Sequence, residues 1–262
     1  ESVGILYEHH YPNRQRTTAR PVICSPVHDR LKENGACFSM IAGWERADWF
    51  APEGVEPVHQ YDWKSPNWLP YQEEEHLAVR HGVGMYDLRS MGNLWVQGKD
   101  APSVLQYLCA NDIDVEIGKV IYTPMTNDRG GFETDVTVTR LDREPFFIVT
   151  AAGTTIRDLD YIKRRIPEDA QCTITDVTHG YAMLGVMGPK SRDLLKALTN
   201  ADLSNHTFAY GTAQTIDLAY ARVLAVRMSY VGELGWELYI PSFFTVPVFD
   251  AIMEEGTRHG LK

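Results

Sequence analysis

The stretch TPMTNDRGGFETDVTVTRL, residues 123–141, decides how the rest of the chain is read. It reads as a β-hairpin, and a hairpin commits its two strands to antiparallel pairing. Alternation sets Phe132, Thr134, Val136 and Val138 on one face and Glu133, Asp135, Thr137 and Thr139 on the other. Two carboxylates thus occupy a face on which threonines alone would suffice. A solvated strand face is the commoner reason for such charge, and a functional one needs further support. A two-residue loop at Asp128 and Arg129 puts Tyr122 across from Asp135, whereas a three-residue loop puts Thr123 there. In either register Tyr122 lies near that carboxylate, and spacing alone favours a packing contact with a satisfied hydroxyl.

Working outward, residues 71–81 read as a helix, 84–88 and 91–97 as strands, and a helix opened by Asp100 runs to Cys109. After the hairpin come the strand PFFIVTAA and a helix over 154–166 that presents Ile156, Leu159, Ile162 and Ile166. A similar series follows: CTITDVT, YAMLGVM, a helix after Gly188 and Pro189, the strands ARVLAVRMSY and GWELYIP, and a last helix from Ser242. Strands joined mostly by hairpins and covered by scattered helices define an α+β fold of mainly antiparallel sheets. The two series suggest two similar halves, without a visible residue-level repeat. Upstream, SPVHDRLKENG reads as a short helix with Ser25 as N-cap, Pro26 at its first position and Gly35 past its end. The segment between them holds Trp44, Trp49, Trp63 and Trp68 among prolines. It reads as irregular chain whose rings cover a core rather than line a ligand site. Residues 1–24 read as a linker or the tail of a preceding domain; the adjacent His9 and His10 there are poorly placed to chelate.

Composition excludes several classes of function. A net charge of −10 argues against a broad nucleic-acid surface, and no apolar run is long enough to cross a bilayer as a helix. Small molecules are the expected ligands. Cys24, Cys37, Cys109 and Cys172 are far apart with no CxxC spacing, which suggests neither a zinc site nor a disulfide framework and fits a reducing compartment, the cytoplasm or a mitochondrial matrix. There is no GxGxxG after a strand, no P-loop, no HExxH and no GxSxG. The stretch YVGELGWELY, residues 230–239, is more informative. Its Gly-bounded turn joins two strands, and alternation sets Gly235, Glu237 and Tyr239 opposite Trp236, Leu238 and Ile240. Glycine lets a ligand approach, and Glu237 beside it could accept paired hydrogen bonds from a planar N–H edge; an exposed turn Glu is an equally good reading of this stretch alone.

TNDRGGFETDVTV resembles the TNxxGGxxxD segment of the glycine-cleavage T-protein (aminomethyltransferase) family, and SYVGELGWELYIP resembles its YTGExGxE segment, in the family's order. The likeness is closest to the folate-binding C-terminal half of dimethylglycine and sarcosine dehydrogenases and dimethylglycine oxidase, where GWERADWFAP, VGMYDLRSMG, LCANDID and LGVMGPKSRDLL have counterparts. It covers residues 25–262 as one T-protein-like folate-binding region of two lobes, joined through 1–24 to a preceding flavin domain. It also implies a continuation past residue 262 into a basic segment and a small β-barrel. By the same resemblance Asp135 corresponds to the carboxylate at the folate N5/N10 edge, Glu237 to the one that holds the pterin, and Tyr122 and Tyr230 to positions lining the folate pocket. Thr134 stands where the T-protein commonly has a second carboxylate.

The activity implied is transfer of a methylene unit from an N-methyl amine such as dimethylglycine or sarcosine to tetrahydrofolate, forming 5,10-methylenetetrahydrofolate. The amine would be oxidised by FAD in the preceding domain of the same polypeptide. Asp135, in a partly dry pocket, would be the catalytic residue, and no metal is required. The alternatives are a non-catalytic folate-binding or domain-docking module and a folate-dependent O- or S-demethylase.

Overall fold

The computed structural model describes Gly4, Tyr7, His9 and residues 15–262, so most of the first fourteen positions, His10 among them, lie outside the described residues. Two compact units divide the chain, one ending at His76 and the other running Leu77–Lys262.

In the first unit a helix α1 (His28–Glu33) precedes an antiparallel hairpin of β1 (Ala36–Ile41) and β2 (Trp44–Phe50). Strand β2 was not expected from the sequence, because its alternation is masked by Glu45, Arg46 and Asp48. A bulge between Cys37 and Phe38 leaves Asp48 as an extra residue that breaks the period further. Helix α1 begins later than its N-cap signal: Ser25 opens a turn, its carbonyl accepting from His28 N–H at 3.0 Å, and Pro26 lies before the first helical residue. Trp49 is buried with Cys37 and Ala51 under Trp68 and Tyr71, which is the core-covering role expected, while Trp63 is fully exposed. Residues 20–23 lie against the hairpin: Arg20 pairs with the buried Glu45, and Ile23 bridges to Trp44. Helix α2 (Leu69–His81) follows.

The second unit contains β3 (Gly84–Asp87), β4 (Gly92–Gln97), α3 (Ala101–Leu108), β5 (Val120–Thr126), β6 (Phe132–Arg140), β7 (Phe146–Thr150), α4 (Thr155–Lys163), β8 (Thr173–Asp176), β9 (Tyr181–Met187), α5 (Ser191–Lys196), β10 (Ala213–Leu218), β11 (Ala221–Val226), β12 (Gly235–Pro241) and α6 (Thr245–Gly256). Its strands form two antiparallel sheets, ordered β5-β6-β7-β4-β8 and β10-β11-β12-β9-β3. The α+β reading of the sequence holds. Strand β10 is an addition to it, and helix α4 is shorter than expected, with Ile156 on its exposed side.

The two sheets have one plan. Each is a three-strand meander whose last strand pairs with the strand opening that half, and the outermost strand comes from the other half, β8 in the first sheet and β3 in the second. The structure makes a faint repeat legible at an offset of ninety residues: Val96, Gly98, Ala101, Val104 and Leu105 correspond to Val186, Gly188, Ser191, Leu194 and Leu195. Gly98 and Gly188 take nearly the same backbone angle, φ 124° and 131°, at the turn from strand to helix. An added Cβ would fall 2.1 Å from the Gln171 carbonyl oxygen at Gly98 and 2.5 Å from that of Gly82 at Gly188. Both turns are therefore closed to any side chain.

Two cores result. Helices α3 and α4 cover one face of the first sheet, burying Leu94, Val96, Val136, Val138, Phe146 and Ile148 against Val104, Leu105 and Ile162. The other face meets the second sheet through Val120, Phe147 and Val149 against Met183, Val226 and Tyr239, with the Phe147 and Tyr239 rings edge to face at 5.0 Å. Replacing Gly98 or Gly188 by Ala is expected to destabilise the domain by about 2 kcal/mol or more, since left-handed strain adds to a backbone clash. Urea denaturation of each variant measures this, and an effect within a few tenths of a kcal/mol would contradict it.

Candidate functional site

Of the four residues picked out by the sequence, Tyr122, Asp135 and Glu237 fall on the facing surfaces of the two sheets, and Tyr230 on the loop between β11 and β12. In the first sheet the hairpin has a five-residue connection, Asn127–Gly131, with a register shift at Met125/Thr126. Pro124, and not Tyr122 or Thr123, is therefore directly opposite Asp135, while Tyr122 faces Thr137. The contact survives diagonally: the Tyr122 hydroxyl donates to Asp135 Oδ2 at 2.7 Å, and this bond raises the phenol pKa. Tyr122 and Asp135 are both exposed in this chain, so the partly dry pocket implied for Asp135 is not built by these residues alone. The strand carrying Tyr122 is fixed on its outer edge by the LCANDID segment, where Asn111 Nδ2 donates to the Tyr122 carbonyl at 2.8 Å and Ala110 N–H to that of Pro124 at 2.9 Å.

The other carboxylate of the hairpin has a structural use. Asn127 Oδ1 accepts from the N–H groups of Arg129 and Gly131, and its Nδ2 donates to Glu133 Oε1 at 2.8 Å, which closes the turn. On the opposite face Thr134 donates at 2.9 Å to Asp158, a buried carboxylate from α4 that also accepts from Thr150 and Thr154 and pairs with Arg157. Asp158 is thus saturated with donors, and nothing in the sequence pattern pointed to it.

In the second sheet Glu237 is buried, not exposed as a turn residue, and accepts from the Tyr239 hydroxyl at 2.8 Å. Burial raises its pKa, while the Tyr239 bond works the other way; burial also lifts the Tyr239 phenol well above its usual value. Across the sheet Glu237 lies in one row with Val226, Gly185 and Tyr86. Gly185 leaves no room for a side chain beside the carboxylate. A Cβ there would meet the Met187 and Leu88 side chains at 3.0 and 3.2 Å. Tyr230 stands edge-on to Tyr86 at 5.8 Å, on a loop held by an ion pair between Arg80 and Glu233. Tyr86 was not foreseen, because its place beside Glu237 depends on which strands pair; Tyr239 lies on the strand face that alternation gives it with Glu237.

A short antiparallel bridge sets the direction of the two groups. Ala213 N–H donates to the Gly118 carbonyl at 2.7 Å and Val120 N–H to that of Gly211 at 2.9 Å, joining the start of β5 to the start of β10. Followed through the registers, the step from Val120 to Tyr122 runs the same way as Thr139 to Asp135, Val226 toward Tyr230, and Tyr239 to Glu237. Both polar groups therefore lie toward the same end of the shared apolar layer. An open cleft of about 520 Å³ in the first unit, bordered by Arg20, Lys32 and His59, contains none of the four.

Two facing antiparallel sheets of duplicated plan, each with a carboxylate and a tyrosine beyond a common core, define the class of fold. Residues 27–262 match the GCVT N-terminal domain family, and the chain belongs to that family. Over its whole length it is 41% identical to 4-methylaminobutanoate oxidase (formaldehyde-forming) of Paenarthrobacter nicotinovorans, of which it spans 32%. It is 30% identical to mitochondrial sarcosine dehydrogenase of Homo sapiens, again across the whole chain and 33% of that protein. The chain thus spans about a third of the length of these curated relatives. Glycine cleavage system aminomethyltransferase T from Bartonella henselae has the same fold, with a TM-score of 0.72 at 22% identity over 88% of this chain and 57% of that one. The family resemblance and fold class expected from the two motifs are thereby established.

Glu237→Gln is expected to raise the melting temperature at neutral pH. With its folded-state pKa raised, Glu237 supports the fold best when protonated, below the ordinary carboxylate pKa of about 4.3, and stability is lost as pH rises through the higher folded value. The gap between variant and parent should therefore shrink as pH falls into the acid range. Melting curves against pH read it, and a gap independent of pH would contradict the assignment.

Proposed function

We propose that this domain accepts a one-carbon unit from an oxidised N-methyl amine and transfers it to tetrahydrofolate, as the transfer module of a flavin-dependent demethylating enzyme. The observation carrying this reading is Glu237, a buried carboxylate that accepts from the Tyr239 hydroxyl on the face toward the other sheet. A pterin presents its 2-amino and ring N–H groups as a guanidinium-like edge, and a carboxylate there meets it with two parallel charge-assisted hydrogen bonds. The donor set fits tetrahydrofolate as co-substrate, with Tyr86 and Tyr230 as aromatic walls. When joined to the domain, FAD would supply the oxidation of the amine to an iminium. The relatives named above include a formaldehyde-forming oxidase and a sarcosine dehydrogenase, which supports an N-methyl amine as the donor. Residues 1–24 would form the connection to the flavin domain and 25–262 the folate-binding region.

In the transfer step Asp135 stabilises positive charge developing at the reacting nitrogens and moves a proton there, with Tyr122 fixing the carboxylate by donating to Oδ2. Glu237 orients the pterin and takes no part in the chemistry. The test uses the polypeptide with its flavin domain, given dimethylglycine or sarcosine with and without tetrahydrofolate, while formaldehyde and 5,10-methylenetetrahydrofolate are both assayed. Formaldehyde should fall as methylenetetrahydrofolate appears. Asp135→Asn should keep folate affinity and slow transfer by 10²-fold or more, in the range of a lost acid–base group. Glu237→Gln should instead weaken folate binding by calorimetry, because its amide turns a donor toward a donor edge. Formaldehyde release indifferent to folate would overturn the reading.

A further inference from the structure

The inter-sheet face carries one more polar side chain. Asn93 on β4 is completely buried, and neither its Oδ1 nor its Nδ2 has a hydrogen-bond partner among the described residues. Its backbone is well occupied, with N–H donating to Thr178 Oγ1 at 3.0 Å and the carbonyl accepting from Val177 N–H at 2.9 Å. The amide alone is left over. Buried amides in native proteins are almost always satisfied, and an exception calls for a missing partner.

Register locates this amide. Asn93 pairs with Val149, Val149 with Thr137, and Thr137 with Tyr122, so the four form a single cross-strand row on the face that meets the second sheet. Tyr122 stands at one end of the row and Asn93 at the other. Three strand spacings separate their backbones by about 14 Å, with Val149 and Thr137 between them. Trp95, two residues along the same face, also has its buried Nε1–H without a partner. The surrounding apolar cluster contains Met91, Met183 and Met228, flexible side chains that can repack around an inserted ring.

We infer that Asn93 is a further ligand-contact residue, its amide pairing with a donor–acceptor edge of the bound heterocycle. This rests on the folate reading above and deepens it. With Glu237 on the 2-amino and N3–H side, the pterin edge left for an amide is N1 and N8–H: Oδ1 accepts from N8–H and Nδ2 donates to N1. An amide suits that edge and a carboxylate does not, because N1 is an acceptor. Asn93 thus selects for the reduced pterin, whose N8 carries a hydrogen.

The experiment is calorimetric titration of the polypeptide with tetrahydrofolate and with its 8-deaza analogue, for the parent and for Asn93→Leu, together with melting curves of both without ligand. The Leu variant should melt higher than the parent, because two unpartnered buried polar atoms are removed, yet bind tetrahydrofolate at least tenfold more weakly. The parent should bind the 8-deaza analogue at least tenfold more weakly than tetrahydrofolate, and in the Leu variant that difference should largely vanish. Should the Leu variant not fold, the comparison of the two ligands on the parent decides, and equal affinities overturn the assignment. Parent and variant binding tetrahydrofolate equally would overturn the role of Asn93 and leave the folate reading intact. A parent that binds no tetrahydrofolate would overturn both.

Discussion

The second unit depends on the antiparallel backbone exchange between Gly118–Val120 and Gly211–Ala213. Two edge strands, β5 and β10, are joined there, so neither open edge is left bare over that stretch. Gly118 and Gly211 supply the φ values of 85° and 71° at this corner, a backbone region closed to most side chains. The corner fixes how the sheets face one another. From it follow the apolar layer of Phe147, Val149, Met183 and Tyr239, and the common direction in which the polar residues beyond that layer lie.

Glu237 is buried with only the Tyr239 hydroxyl recorded against its carboxylate, and the Asn93 amide has no protein partner among the described residues. Asp158 shows the contrast: equally buried, it collects three hydroxyls and a guanidinium and acts as a structural tie between α4 and the first sheet. Buried polarity that is fully satisfied holds a fold together, whereas buried polarity left unsatisfied costs stability.

The duplicated plan explains why one fold can offer two such faces. Each half exchanges its outer strand with the other, β8 for β3, which locks the halves into one body rather than two loosely joined lobes. The correspondence between the halves lies at the strand-to-helix turns, where Gly98 and Gly188 are sterically required, and at positions of α3 and α5. Elsewhere the halves are free to differ, and Glu237 on β12 has no acidic counterpart on β7.

Local periodicity in the sequence determined most of the element order, the antiparallel class and the face on which Asp135 and Glu237 sit, because a period of two assigns a strand residue to a face without reference to its neighbours. Two motifs determined the family. Strand β2 was hidden by a bulge and by charged residues on a small hairpin, and β10 by its short polar pattern. Strand pairing alone decided the rest. It put Pro124, and neither Tyr122 nor Thr123, opposite Asp135, decided for a buried over an exposed Glu237, and brought Tyr86, Gly185 and Asn93 onto the inner faces. None of these is legible in one dimension, since cross-strand neighbours, 11 residues apart at Pro124 and Asp135 and 99 at Tyr86 and Gly185, are set by register and by the corner that joins the sheets.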